Sequence, residues 1–134
     1  MGKTYIGAYA GALITFCLMD SLWLGLIATD LYFGELRDLL REKPNWPIAF
    51  IFYFGYVLGI VYFAIRPSLA SDSVRKVFKE GALLGLMAYA TYDMTNMATL
   101  KGWSLSVSIV DIIWGMVITG TSATGGYFVA QRFR

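Results

Sequence analysis

Three aspartates, Asp20, Asp93 and Asp111, stand inside stretches of chain that are otherwise apolar, and no lysine or arginine occupies the middle of those stretches. Carboxyl groups in that setting hold or pass protons, bind a cation, or hydrogen-bond to a neighbouring helix. Each costs roughly 2.5–3.5 kcal/mol at membrane depth on insertion scales. Three such costs in a chain of 134 residues call for a compensating role. Bare carboxylates close together in a low dielectric cannot all remain ionised. Protons, a bound cation, a cationic substrate, or tyrosine, asparagine and tryptophan donors must therefore offset them.

The neighbours of the aspartates point to one shared site. Tyr89, Tyr92, Asp93 and Asn96 fall at i, i+3, i+4 and i+7, a single helix face. Ser104, Ser108, Asp111 and Gly115 make a comparable stripe, and Tyr53 and Tyr56 sit one turn apart at a similar depth. Asp20-Ser-Leu-Trp23 and Asp111-Ile-Ile-Trp114 each place an indole one turn from a carboxylate. Asp20, Trp23, Tyr53, Tyr56, Tyr89, Tyr92, Asp93, Asn96, Ser108, Asp111 and Trp114 are thus the expected ligand-binding residues. A second use for the same residues is interhelical hydrogen bonding, which averages about 0.6 kcal/mol per bond in membranes.

Much other chemistry is excluded. Histidine is absent, which removes the usual haem ligand, the commonest zinc ligand and the neutral-pH base. No metal site or cofactor is expected. The single cysteine, Cys17, cannot form an internal disulfide and reads as a small hydrophobe. A serine or cysteine nucleophile lacks its base. Retinal attachment needs a lysine in a span, and no glycine-rich loop follows a strand to bind nucleotide. A net charge of +2 with no basic, aromatic-interleaved run gives no nucleic-acid surface.

The elements that must position these residues are membrane helices. Hydrophobic residues make up 57% and charged residues 15% of the chain, too apolar for a soluble domain of this size. A bilayer core of about 30 Å needs about 20 apolar residues in helical form. Four segments qualify, at about 5–29, 46–65, 77–99 and 104–130. The expectation is a single all-α domain, a bundle of four transmembrane helices. Pro47 suits a first turn, Pro67 is expected to stop the second span after Arg66, and Gly102 breaks the chain between the third and fourth. The run after Lys3 continues to Leu31 without an A-x-A site, so it reads as a retained first span. Residues 30–45 alternate in charge and are expected to form a short helix at the membrane surface.

Seven basic residues (Lys3, Arg66, Arg75, Lys76, Lys79, Arg132, Arg134) fall on the side of the termini and four (Arg37, Arg41, Lys43, Lys101) on the other. The excess favours both termini in the cytoplasm. All three aspartates then reach one level in the outer half of the membrane, within about one helix–helix spacing of one another. Trp46, Trp103 and Tyr5 suit an interfacial aromatic belt. Gly7 and Gly11, Gly55 and Gly59, and Gly81 and Gly85 are small-xxx-small pairs that let helices approach, within the chain or in a homo-oligomer.

Asp20-Ser-Leu-Trp23-Leu24-Gly25, Tyr92-Asp93-Met94-Thr95-Asn96 and Asp111-Ile-Ile-Trp114-Gly115 together resemble a family of small predicted bacterial membrane proteins of unknown function. The similarity covers nearly the whole chain. It implies an inner-membrane location and four spans, and supplies no activity. Tyr92-Asp93 also matches half of the motif pair of intramembrane aspartyl proteases. The other half, Gly-x-Gly-Asp, reads Ser108-Ile109-Val110-Asp111 here and lacks both glycines.

Three functional readings follow. The first is an outward-facing intramembrane pocket of aspartates and aromatics, binding or transporting a small cationic, amine or lipid-like ligand. The second is a structural or assembly protein whose polar stripe joins helices. The third is a lipid-modifying enzyme or enzyme subunit using aspartate acid–base chemistry. Membrane lipids are partners in all three.

Overall fold

The computed structural model describes residues 2–27 and 29–134, without the side chains of Ile27, Thr29 and Phe33. The fold is all-α and is carried by four long helical segments. Helix α1 (Gly2–Leu22) continues through a wider, π-helical turn at Trp23–Ile27, and α2 (Thr29–Glu35) then leads to a 3-10 turn at Arg37–Leu39. Helix α3 (Trp46–Ile60) passes through a second π-helical turn (Val61–Ile65) into α4 (Arg66–Ser71). Helices α5 (Val74–Thr99) and α6 (Leu105–Arg132) complete the chain.

Three segments, Gly2–Leu26, Trp46–Ser71 and Leu105–Arg132, are long and apolar enough to cross a membrane. At 26 residues α5 is long enough too, roughly 40 Å. It is less apolar because its first turns carry Arg75, Lys76, Lys79 and Glu80 and its far half carries Tyr89, Tyr92, Asp93 and Asn96. The short helix expected between residues 30 and 45 is α2.

Helix starts follow the caps written in the sequence. The side chains of Asn45, Ser73 and Ser104 accept from the backbone N–H groups of Ile48, Lys76 and Val107, satisfying donors that a first turn leaves unpaired. Between α5 and α6, Gly102 adopts φ +75°, a left-handed turn that glycine makes without strain.

Pro67 does not end the second span, contrary to the sequence expectation. Its ring excludes the regular bond and crowds the carbonyl one turn back. The backbone widens instead: Arg66 N–H bonds Val61 O, five residues earlier, and the helix runs on to Ser71.

Helix α6 is central, packing most extensively along α5 and then along α1. Glycine decides both crossings. A Cβ at Gly85 would lie 2.1 Å from the Gly115 carbonyl oxygen, and one at Gly81 would lie 2.9 Å from the Gly120 Cα. On the other face of α6, a Cβ at Gly11 would lie 3.0 Å from the Gly126 Cα. The pairs Gly7–Gly11 and Gly81–Gly85 are therefore spent within the chain. The pair Gly55–Gly59 departs from expectation: nothing lies within 4 Å of a Cβ at either position, because α3 turns its tyrosines rather than this face toward the bundle. Phe16, Val57, Ile60, Ile65, Ile118 and Tyr127 fill the core beneath the site.

Candidate functional site

Because α1 and α5 both run antiparallel to α6, the last turns of the first two and the first turns of α6 share one end of the bundle. Asp20, Asp93 and Asp111 meet there. Asp111, on the central helix, shares a cavity with Asp93 and is near enough to Asp20 for their charges to interact.

Asp93 is the most constrained of the three. Its residue exposure is 0%, and among the described residues neither carboxyl oxygen has a hydrogen-bond partner. Its carboxyl neighbours that of Asp111, and both residues border one cavity. Two ionised carboxylates offer no hydrogen between them, so the approach is repulsive unless a proton or a cation joins them. Asp111 has help from elsewhere, because Tyr32 OH donates to its Oδ1 at 2.7 Å and Trp23 Nε1 donates to Tyr32 OH at 3.1 Å.

A cavity of about 230 Å³ opens beside this pair, lined by Asp93, Asp111, Tyr92, Trp103, Tyr32, Leu36, Leu40 and Val107. Tyr92 and Trp103 meet edge to face at 5.5 Å and 80°. Trp103 Nε1 donates to Ser108 Oγ at 3.0 Å, and Ser108 in turn bonds the Ser104 carbonyl at 2.9 Å. A second cavity of about 440 Å³ shares Tyr32 and Leu40 with the first and reaches Arg41, Glu42 and Pro44 in the loop.

Asp20 lies apart from this cavity. Tyr53 OH donates to its Oδ2 at 2.8 Å, tying α3 to α1. Trp114 Nε1 lies beside the same carboxyl but is buried outside hydrogen-bond geometry. Between the two halves, Trp23 and Trp114 stack face to face, with centroids 4.4 Å apart and planes 7° from parallel. The two Asp-x-x-Trp segments thus meet through their indoles.

The structure sorts the expected site residues into groups. Asp93, Asp111 and Tyr92 line the cavity, while Trp23 and Ser108 hold its tyrosine and indole walls. Asp20, Tyr53 and Trp114 form the neighbouring cluster. Tyr56 and Tyr89 belong to the packing below it. Tyr56 shares a hydrogen bond of 2.8 Å with Thr119, and Tyr89 covers Gly115, where a Cβ would lie 2.2 Å from its ring. Asn96, partly buried on α5, does not line the cavity. Its place on the polar stripe carries it past the cavity mouth, one turn beyond Asp93.

Two cavity residues escaped the sequence reading. Tyr32, expected on a surface helix, and Trp103, expected in an aromatic belt, are half-buried and also line the cavity. The signal for Tyr32 was present: Tyr32, Leu36, Leu39 and Leu40 recur at helical spacing within a charged loop. That apolar edge folds over the bundle end. Trp46, by contrast, is 54% exposed, as a belt residue should be.

A family model described as "Predicted membrane protein (DUF2177)" matches residues 5–128, and the chain belongs to that family. No curated protein and no solved structure matches it.

Proposed function

We propose that this member of the DUF2177 family is an integral membrane protein that binds a small organic cation of the alkyl- or arylammonium class between Asp93 and Asp111. The observation that carries this reading is the bare Asp93 carboxyl, fully buried in the wall of a cavity that Asp111 also lines. Of the donors on the cavity wall, Tyr32 is committed to Asp111 and Trp103 to Ser108, and Tyr92 makes no hydrogen bond to Asp93. An ammonium supplies both the charge and the N–H groups that the pair lacks. The faces of Tyr92, Trp103 and Tyr32 suit the organic part of such a ligand and add cation–π attraction of about 0.5–2 kcal/mol. Among the described residues no group of three or more ligating side chains has metal-site geometry, which favours an ammonium over a divalent ion. An amine-bearing lipid headgroup belongs to the same chemical class.

Titration of the purified, full-length protein in detergent with benzylammonium chloride tests the reading. Asp111→Asn keeps shape and removes charge. It should weaken binding at least tenfold, the scale of a lost charge-assisted hydrogen bond at about 1.5–3 kcal/mol. Neutral benzyl alcohol should bind far less well than benzylammonium. Equal affinity of wild type and Asp111→Asn would remove the case for a cation site.

Asp20 favours a second, structural role, because its Oδ2 is satisfied by Tyr53. The polar cluster therefore divides into one carboxyl that joins helices and two that face a ligand.

The same reading sets the protein in a bacterial inner membrane with both termini in the cytoplasm. Seven Lys and Arg residues against four support that orientation. It turns the cavity and the 29–45 segment outward. Single cysteines placed at 37 and 132 on a Cys17→Ser background should react differently in intact cells. Position 37 should label with an impermeant maleimide, and position 132 only after lysis. Reversal would turn the cavity to the inner face.

A further inference from the structure

We propose that cation entry into this cavity is exchanged one for one with a proton held between Asp93 and Asp111, an inference that rests on the cation-binding reading above. The geometry supplies the argument. The two carboxyls come together at the wall of one cavity, and neither Asp93 oxygen has a hydrogen-bond partner among the described residues. Without a cation, one proton turns that contact into an O–H···O⁻ bond, the arrangement that two close carboxylates adopt when they share a site.

The groups that face the pair cannot take over this role. From α1 comes Asp20, a like charge already bonded to Tyr53. Tyr32 on α2 gives its hydrogen to Asp111, and Tyr89 and Tyr92 stand on α5. Ser108 on α6 donates to the Ser104 carbonyl. No lysine or arginine lines the cavity. The proton and an incoming ammonium therefore compete for the same lone pairs.

The exchange balances. An ammonium R–NH₃⁺ arrives, the O–H bond between the carboxyls breaks heterolytically, and one proton leaves to water. No electrons are transferred. The pair carries one negative charge with its proton; it carries two with the proton gone, and the ligand returns one positive charge. The buried site keeps the same net charge throughout, so the low dielectric does not oppose the step.

Calorimetry of the full-length protein in detergent tests this with benzylammonium chloride, titrated at one pH in phosphate and in MOPS, neither of which contains a primary ammonium. The two buffers differ in ionisation heat, and the difference in observed heat counts protons. One proton released per cation is expected, and linkage then makes binding tenfold tighter for each unit rise in pH. Asp93→Asn leaves no proton to share. Its weaker binding should show no buffer dependence and no pH slope. Wild-type binding with no proton release would overturn the exchange while leaving the cation site intact. No binding at any pH would overturn both.

Discussion

Leucine in place of Gly85 should keep α5 from seating on α6 and lower the melting temperature in detergent sharply. The crossing is backbone against backbone, with a Cβ at position 85 only 2.1 Å from the Gly115 carbonyl oxygen. No rotamer of a neighbour can relieve that clash, so the helices must separate along their length. Overpacking a close-packed site costs about 1–3 kcal/mol even where side chains can give way, and here the loss should be at the top of that range or beyond. Asp93 lies further along the same helix and Asp111 one turn from Gly115, so benzylammonium binding should fall with the fold. Leucines at Gly55 and Gly59 together provide the contrast. Both positions open onto free space, and that double variant should melt like the wild type. Equal loss in the two variants would mean that the Gly55–Gly59 face is packed in the protein.

The difference between those two glycine pairs marks where the sequence stops being informative. Small-xxx-small spacing says that a helix can approach a partner closely, not which face has one. On α3 the choice was made by Tyr53 and Tyr56, whose hydroxyls reach Asp20 and Thr119 and leave Gly55 and Gly59 on the outside. The helical class, the long helices and the common end of the three aspartates were legible, because each rests on a periodicity or on hydropathy. Pairwise choices within the cluster were not. Nothing in the spacing of Asp20, Asp93 and Asp111 reveals that Tyr53 satisfies the first while the second has no donor. Residue 32 was hidden for a different reason. The alternating charge of its loop points to the surface, and gives no sign that the Tyr32–Leu36–Leu40 edge closes the cavity. Pro67 resembles a stop because a proline near a helix end is one in water, while a helix away from water can widen by one residue and continue.

That division of the aspartates predicts stability changes of opposite sign. Asp93→Leu should stabilise the protein, and Asp20→Leu should destabilise it. Asp93 is fully buried with both oxygens unpartnered, and an unsatisfied buried polar group costs about 1–3 kcal/mol. Leucine removes that cost, and the adjacent cavity of about 230 Å³ has room for the larger side chain. The proton shared with Asp111 satisfies at most one of those two oxygens, so leucine still removes the cost of the other. Asp20→Leu does the reverse, since it breaks the bond from Tyr53 and strands a half-buried hydroxyl between α1 and α3. A residue that lowers stability while facing a cavity is the signature of a site kept for function. Thermal melts of both variants beside the wild type decide the matter, with benzylammonium titration of each as the second readout. Asp93→Leu should melt higher and no longer bind. A lower melt for Asp93→Leu, equal to that of Asp20→Leu, would make Asp93 a structural link between helices and return the cluster to a scaffold.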